Sequence, residues 1–167
     1  GLANRALFAD RLHHARSLGQ RDGVRFAVAV TDLDDFKAVN DRLGHATGDL
    51  LLKAVAERFR RIARPIDILA RLGGDEFGIL ATGLQSDAEA VNLAERIRAA
   101  IERPFRIGDQ DVFITGSIGV SAYPSDGVDF EALLRAADAA VYRAKQQGRN
   151  TIACYSPEIS AAAVERF

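Results

Sequence analysis

Gly73-Gly74-Asp75-Glu76, set between two apolar runs, constrains this chain more than any other stretch. Ile68-Leu69-Ala70-Arg71-Leu72 precedes it and Phe77-Gly78-Ile79-Leu80-Ala81 follows. Short apolar runs joined by a glycine-rich turn predict a β-hairpin, with the glycines supplying positive φ angles for a tight reversal. The adjacent carboxylates Asp75 and Glu76 repel one another unless a cation stands beside them. Glycines just before them also let another molecule approach the backbone closely. A solvated acidic turn is the commonplace reading of four such residues, so the rest of the chain decides between the two.

The 167 residues suffice for one domain with a real core and are too few for two ordinary ones. A net charge of −1 carries no basic surplus, which argues against a nucleic-acid partner. The single cysteine, Cys154, excludes an internal disulfide and cysteine-rich metal sites. No apolar stretch approaches the roughly 20 residues that span a bilayer, and no signal peptide is visible. A cytoplasmic location is expected, alone or as the cytoplasmic part of a membrane-anchored sensor. The chain opens at Gly1 almost directly into a helical pattern, which reads as a piece of something longer.

Asn4 can cap a helix with Phe8, Leu12 and Ala15 inward, ending near Gly19. Val24 to Val30 is an unbroken apolar run, expected as a strand buried on both faces at the centre of a sheet. It stops at Thr31-Asp32-Leu33-Asp34-Asp35, where three carboxylates would be costly unless solvated or shared with a cation. Leu52, Val55, Phe59 and Ile62 predict a helix from Gly48 to Ile62, closed by Pro65. Ser86 with Glu89 reads as a capping box opening a helix that Pro104 halts. Phe105 to Ile107 and Val112 to Ala122 predict strands around a Gly108-Asp109 turn. A last helix is expected from about Phe130 to Gln146, then a closing strand from Thr151 to Tyr155. Helices alternating with strand pairs predict an α+β fold, a mostly antiparallel sheet flanked by helices.

Four constellations could carry chemistry. Asp32 and Asp75 each lie where a predicted strand meets a turn; if the strands are neighbours, the two ends meet with oxygen ligands only, which suits Mg²⁺. An ordinary surface cluster is the alternative. Asn40 and Asp49 have side chains able to read guanine, the amide meeting its acceptors and the carboxylate its N1–H and amine; otherwise Asn40 is a turn residue and Asp49 a helix cap. Lys145 and Arg149 stand near the end of the last helix, where the dipole alone would favour cations. Arg64-Pro65-Ile66-Asp67 is, at its plainest, a helix end followed by an exposed acid.

Three motifs in order tip these balances. Arg71-Leu72-Gly73-Gly74-Asp75-Glu76-Phe77, the long stretch from Phe36 to Asp49, and Ala144-Lys145-Gln146-Gln147-Gly148-Arg149-Asn150 together resemble the GGDEF family, the diguanylate cyclases of bacterial signalling. The resemblance spans roughly Leu2 to Tyr155 and implies a βααββαβ arrangement like nucleotide cyclase cores and polymerase palms. By that resemblance, Asp32, the carbonyl of Leu33 and Asp75 hold Mg²⁺ or Mn²⁺, while Asp75 and Glu76 divide metal ligation and proton removal. Asp34 is the second acid of the first segment, its role less defined. Asn40 and Asp49 hold guanine; His45 is a structural hydrogen bonder. The amides of Asp35 and Phe36 with Lys37, the backbone at Gly73 and Gly74, and the cations of Lys145 and Arg149 contact the rest of the nucleotide. Arg64, Asp67 and Arg96 match an inhibitory site for the product.

The implied reaction joins two GTP molecules into cyclic di-GMP with release of pyrophosphate, each domain of a homodimer presenting one GTP. The alternative is a GTP-binding regulatory domain. Residues 156–167 resemble the connector to a following EAL-type phosphodiesterase domain, which leaves 1–155 as the GGDEF domain and sensory or EAL domains as neighbours in a longer chain.

Overall fold

The computed structural model describes residues 2–156. Asn4 starts the first helix as expected, its side-chain oxygen accepting from the Leu7 amide at 2.9 Å, and α1 runs over Arg5–Asp22. It passes through Gly19 and ends a turn later, at a left-handed Gly23. The Val-rich run becomes β1 (Arg25–Leu33), which continues beyond Val30 through the first acid, Asp32. Two helices follow, α2 (Phe36–Leu43) and α3 (His45–Ile62). Periodicity predicts only the part of this pair from Gly48 onward.

The hairpin forms as β2 (Ile68–Arg71) and β3 (Glu76–Leu84), paired antiparallel. Its turn departs from expectation, because neither Gly73 nor Gly74 has a positive φ. Arg71 shapes the reversal instead: Nε donates to the Gly73 carbonyl at 3.1 Å and Nη2 to the Gly74 carbonyl at 2.6 Å. Ser86 occupies the N-cap of α4 (Asp87–Glu102), but its side chain makes no cap bond; the Glu89 amide bonds the Ser86 backbone carbonyl, so the capping box is absent.

The predicted strand from Val112 to Ala122 is in fact two. β4 (Phe105–Ile107) and β5 (Gln110–Val112) form a separate ribbon, and after three linking residues β6 (Gly116–Tyr123) enters the main sheet. α5 (Phe130–Gln146) has its expected span, and β7 (Ile152–Cys154) closes parallel to β6. The main sheet has the order β2-β3-β1-β6-β7, antiparallel except at that last pair. This is the α+β, βααββαβ arrangement the resemblance implies, extended by α5 and β7.

Because β1 is central, alternate residues feed two cores. Ala27, Ala29 and Leu33 pack with Phe59, Ile97 and Ile101 of α3 and α4, while Phe26, Val28 and Val30 pack with Phe8, Leu12 and Leu133 of α1 and α5. α5 lies close to β6 because Gly119 has no side chain: a Cβ there would stand 2.1 Å from the Ala137 carbonyl oxygen. Arg58 joins α3 to the end of α4, donating to the Ala100, Arg103 and Pro104 carbonyls with its guanidinium over the Phe105 ring. Among the described residues no helix is long and apolar enough to cross a membrane. The connector expected over 156–167 lies outside them, apart from Ser156.

Candidate active site

Antiparallel register brings the sequence's acids to one end of the sheet. Asp32 on β1 pairs with Glu76, the first residue of β3, and the Leu33 amide donates to the Asp75 carbonyl at 3.2 Å. Burial, then the neighbouring charge of Asp32, raises the Asp75 carboxyl above its usual range. Glu76 is pushed up to about 6, by burial first and then by Asp138, Asp32 and Asp75, with Arg5 opposing. Lys145, in the last turn of α5, supplies the counter-charge, its Nζ lying 2.6 Å from Asp32 Oδ2. The side-chain donors here are all oxygen, and among the described residues no three His, Cys, Asp or Glu side chains form a metal-holding group on their own.

The raised Glu76 has a measurable consequence. A carboxyl that binds its proton more tightly folded than unfolded stabilises the fold below about pH 4.5, and that contribution is lost as pH rises through about 6. In metal-free protein the melting temperature is therefore expected to fall between these pH values more steeply for the wild type than for Glu76→Gln. Parallel slopes in thermal melts of the two would refute the assignment.

A cleft of about 510 Å³ opens on one side of the acids, lined by Lys37, Asn40, Asp49, Arg71, Gly74 and Asp75 among others. Asn40 lies within α2 and Asp49 within α3, so neither is the turn or cap residue that the plainer readings suggest. Asn40 reaches across to the bare backbone of Gly48, where a Cβ would stand 1.8 Å from its Oδ1. Asp35 begins α2 from a left-handed φ of 57°, an uncommon conformation for a residue with a side chain, and the buried Phe36 anchors it. On the other side, a cleft of about 230 Å³ is lined by Asp32, Glu76, Asp138, Tyr142 and Lys145.

Asp34 faces inward. It accepts from Thr115 Oγ1 and Ser117 Oγ at 2.7 Å each and from the Asn150 amide at 3.0 Å, bracing β1 against β6. Gly148, Arg149 and Asn150 form a run of three positive φ angles after α5, with Arg149 exposed. Arg64 and Asp67 come together, but with each other: Nη2 and Nε of Arg64 donate to the carboxylate at 2.7 and 3.1 Å, and the Arg64 amide at 2.8 Å. The Asp67 side chain is fully buried, contrary to the exposed acid of the plainer reading. Arg96, exposed on α4, donates to the Ile62 carbonyl just before that pair.

Two residues at the site escape the sequence reading. Asp138 carried a findable signal, since Asp138, Tyr142 and Lys145 follow the i, i+4, i+7 spacing of one helical face. Arg71 had none beyond its place beside the turn, because its bonds to the Gly73 and Gly74 carbonyls are visible only in three dimensions.

The family described as "Diguanylate cyclase, GGDEF domain" matches residues 1–151. The bifunctional diguanylate cyclase/cyclic di-GMP phosphodiesterase MucR of Pseudomonas aeruginosa is 47% identical over 166 residues, 99% of this chain but 24% of MucR. The diguanylate cyclase TpbB of the same species is 42% identical over 151 residues, covering 90% of this chain and 35% of TpbB. The crystal structure of the TpbB GGDEF domain superposes with a TM-score of 0.90 at 41% identity, covering 92% of this chain and 96% of that one. The GGDEF domain of DgcB from Caulobacter crescentus, solved in complex with c-di-GMP, matches with a TM-score of 0.83 at 33% identity over 92% of this chain and 91% of that one. This chain belongs to the GGDEF family of diguanylate cyclases. It spans about a quarter to a third of the length of the curated relatives MucR and TpbB.

Proposed function

We propose that this domain condenses two molecules of GTP into cyclic di-GMP and pyrophosphate, as one half of a homodimer. The observation that carries the reading is the meeting of Asp32, Asp75 and Glu76 with Lys145, beside the cleft that holds Asn40 and Asp49. The oxygen-only donor set suits a hard divalent cation, and the raised carboxyls of Asp75 and Glu76 are what such a cation would relieve. Asp32, Asp75 and the Leu33 carbonyl would hold Mg²⁺ or Mn²⁺, leaving the remaining positions to phosphate oxygens and water. When bound, that ion lowers the pKa of the attacking 3′-hydroxyl and offsets charge on the phosphoryl group.

The chain's own residues orient the reactants. Asn40 and Asp49 hold guanine; the Asp35 and Phe36 amides, with Lys37 and the open backbone at Gly73 and Gly74, receive the phosphates; Lys145 and Arg149 neutralise them. Glu76, across the sheet from Asp32 at the same end as Asp75, would take the hydroxyl proton. Since one domain presents one GTP, specific activity should rise with protein concentration. The test is incubation at high concentration with GTP and Mg²⁺ beside Asp75→Ala. Cyclic di-GMP and pyrophosphate from the wild type alone support the cyclase.

A second reading is favoured by one finding: a relative 40% identical over 100% of this chain bears the name cyclic di-GMP phosphodiesterase NbdA. In that reading residues 1–155 bind GTP to regulate an EAL phosphodiesterase domain beyond a connector at 156–167. GTP binding without product, persisting when dimers are forced by a fused coiled coil, would select it.

Arg64, Asp67 and Arg96 form the proposed inhibitory site, where cyclic di-GMP would exchange the Arg64–Asp67 pair for contacts to its own guanine and phosphate. Arg64→Ala is expected to lower cyclic di-GMP affinity at least tenfold and to remove product inhibition, an effect of about 1.4 kcal/mol or more. Calorimetry showing unchanged affinity would dismiss the site.

A further inference from the structure

Arg98 belongs neither to the acid cluster nor to the Arg64–Asp67 pair, yet through it α4 reaches the loop that carries Arg149. Its side chain is only 18% exposed. Nε donates to both Glu95 carboxylate oxygens, at 3.0 and 2.9 Å, and Nη1 donates to a Glu102 oxygen. Glutamates one turn to either side on the same helix thus fix the guanidinium plane. Held this way, Nη1 also donates to Asn150 Oδ1 at 2.9 Å.

Asn150 and Arg149 need such support. Both are non-glycine residues in left-handed backbone, with φ of 46° and 64°. Conformations of this kind cost on the order of 1–3 kcal/mol each and persist only where surrounding contacts fix them. Three contacts do so here. The Arg149 amide donates to the Ala144 carbonyl at 3.1 Å, the Asn150 amide to Asp34 Oδ2 at 3.0 Å, and the Asn150 side chain accepts from Arg98. Asp34 lies between Leu33 and the left-handed Asp35, so the bonds run from α4 through the Arg149 loop to the start of α2.

We propose that Arg98 is a positioning residue for GTP: through Asn150 it holds the left-handed loop that presents the Arg149 guanidinium to the substrate's outer phosphates. The inference rests on the nucleotide-binding reading of the site. Arg98 touches no substrate itself. Its effect should therefore depend on Arg149 and on the phosphates that Arg149 meets, whereas a mere helix-to-loop staple would depend on neither.

The experiment measures GTP and GMP affinity, by calorimetry with Ca²⁺ in place of Mg²⁺, for the wild type, Arg98→Gln, Arg98→Lys, Arg149→Ala and the Arg98→Gln/Arg149→Ala pair. Arg98→Gln is expected to weaken GTP about tenfold and leave GMP unchanged, with Arg98→Lys intermediate. In the Arg149→Ala background the Arg98 substitution should cost nothing more. Amide hydrogen exchange at Asn150 and Thr151 should quicken in Arg98→Gln without ligand. Unchanged GTP affinity, equal losses for GTP and GMP, or additive losses with Arg149→Ala would each overturn the proposal while leaving the cyclase reading intact. A wild type that binds no GTP would overturn both.

Discussion

Asp32→Asn is expected to reduce cyclic di-GMP formation on the order of a thousandfold, about 4 kcal/mol of transition-state stabilisation. The substitution keeps the size and shape of the side chain, removes its charge and turns one acceptor oxygen into an NH2 donor. Asp32 is also the partner of Lys145 at 2.6 Å and one of the charges that raise Asp75 and Glu76. The variant therefore loses a candidate metal ligand and the anchor of a candidate phosphate-binding cation together. Folding should not suffer: at neutral pH, thinning a cluster of like charges is expected to hold or raise the melting temperature. Initial rates of product formation and thermal melts distinguish the cases. A rate within tenfold of wild type would remove Asp32 from the centre of the reaction.

Gly48→Ala separates stability from function even more sharply. Gly48 lies inside α3, where alanine is preferred to glycine by about 1 kcal/mol. The new methyl, however, would stand 1.8 Å from Asn40 Oδ1 and 2.9 Å from its Cγ. The end of a side chain can swing away at little cost to the fold, but a displaced Asn40 no longer meets a guanine edge. GTP affinity is expected to fall ten- to a hundredfold, about 1–3 kcal/mol, with an unchanged or higher melting temperature. Equal GTP affinity in the variant would show that the Asn40 position is not what recognises the base.

The parts of the fold legible in the sequence are those governed by local pattern. The Val-rich run had to be a central strand, and the apolar face of Leu133, Leu134, Ala137 and Val141 defines α5 over its observed span. Long-range contacts govern the rest. α2 begins at a left-handed Asp35 with no capping side chain to signal it. The signature turn is held by Arg71 rather than by left-handed glycines, and the apolar stretch after Val112 changes sheets with no break in its composition. Ser86 and Glu89 have the spacing of a capping box but not its bonds. At the site, the family pattern pointed to the acids, the Asn40 cleft and the terminal cations. The bracing role of Asp34, the charge of Asp138 and the reach of Arg98 depend on which distant strand or helix lies alongside.

That dependence bears on how the protein is made. The bonds of Asp34 join positions 81, 83 and 116 residues apart, and the Lys145–Asp32 contact spans 113. Contacts of such sequence separation form late, after the entropy of closing long loops has been met. Synthesis proceeds from the N-terminus, so a nascent chain displays Asp32, Asp75 and Glu76 well before α5 has emerged. Until that helix docks, the acids lack their lysine and Asp34 lacks the Asn150 amide. The acid-bearing end of the sheet is thus completed late, by α5 and the loop after it, with only β7 of the described fold still to follow.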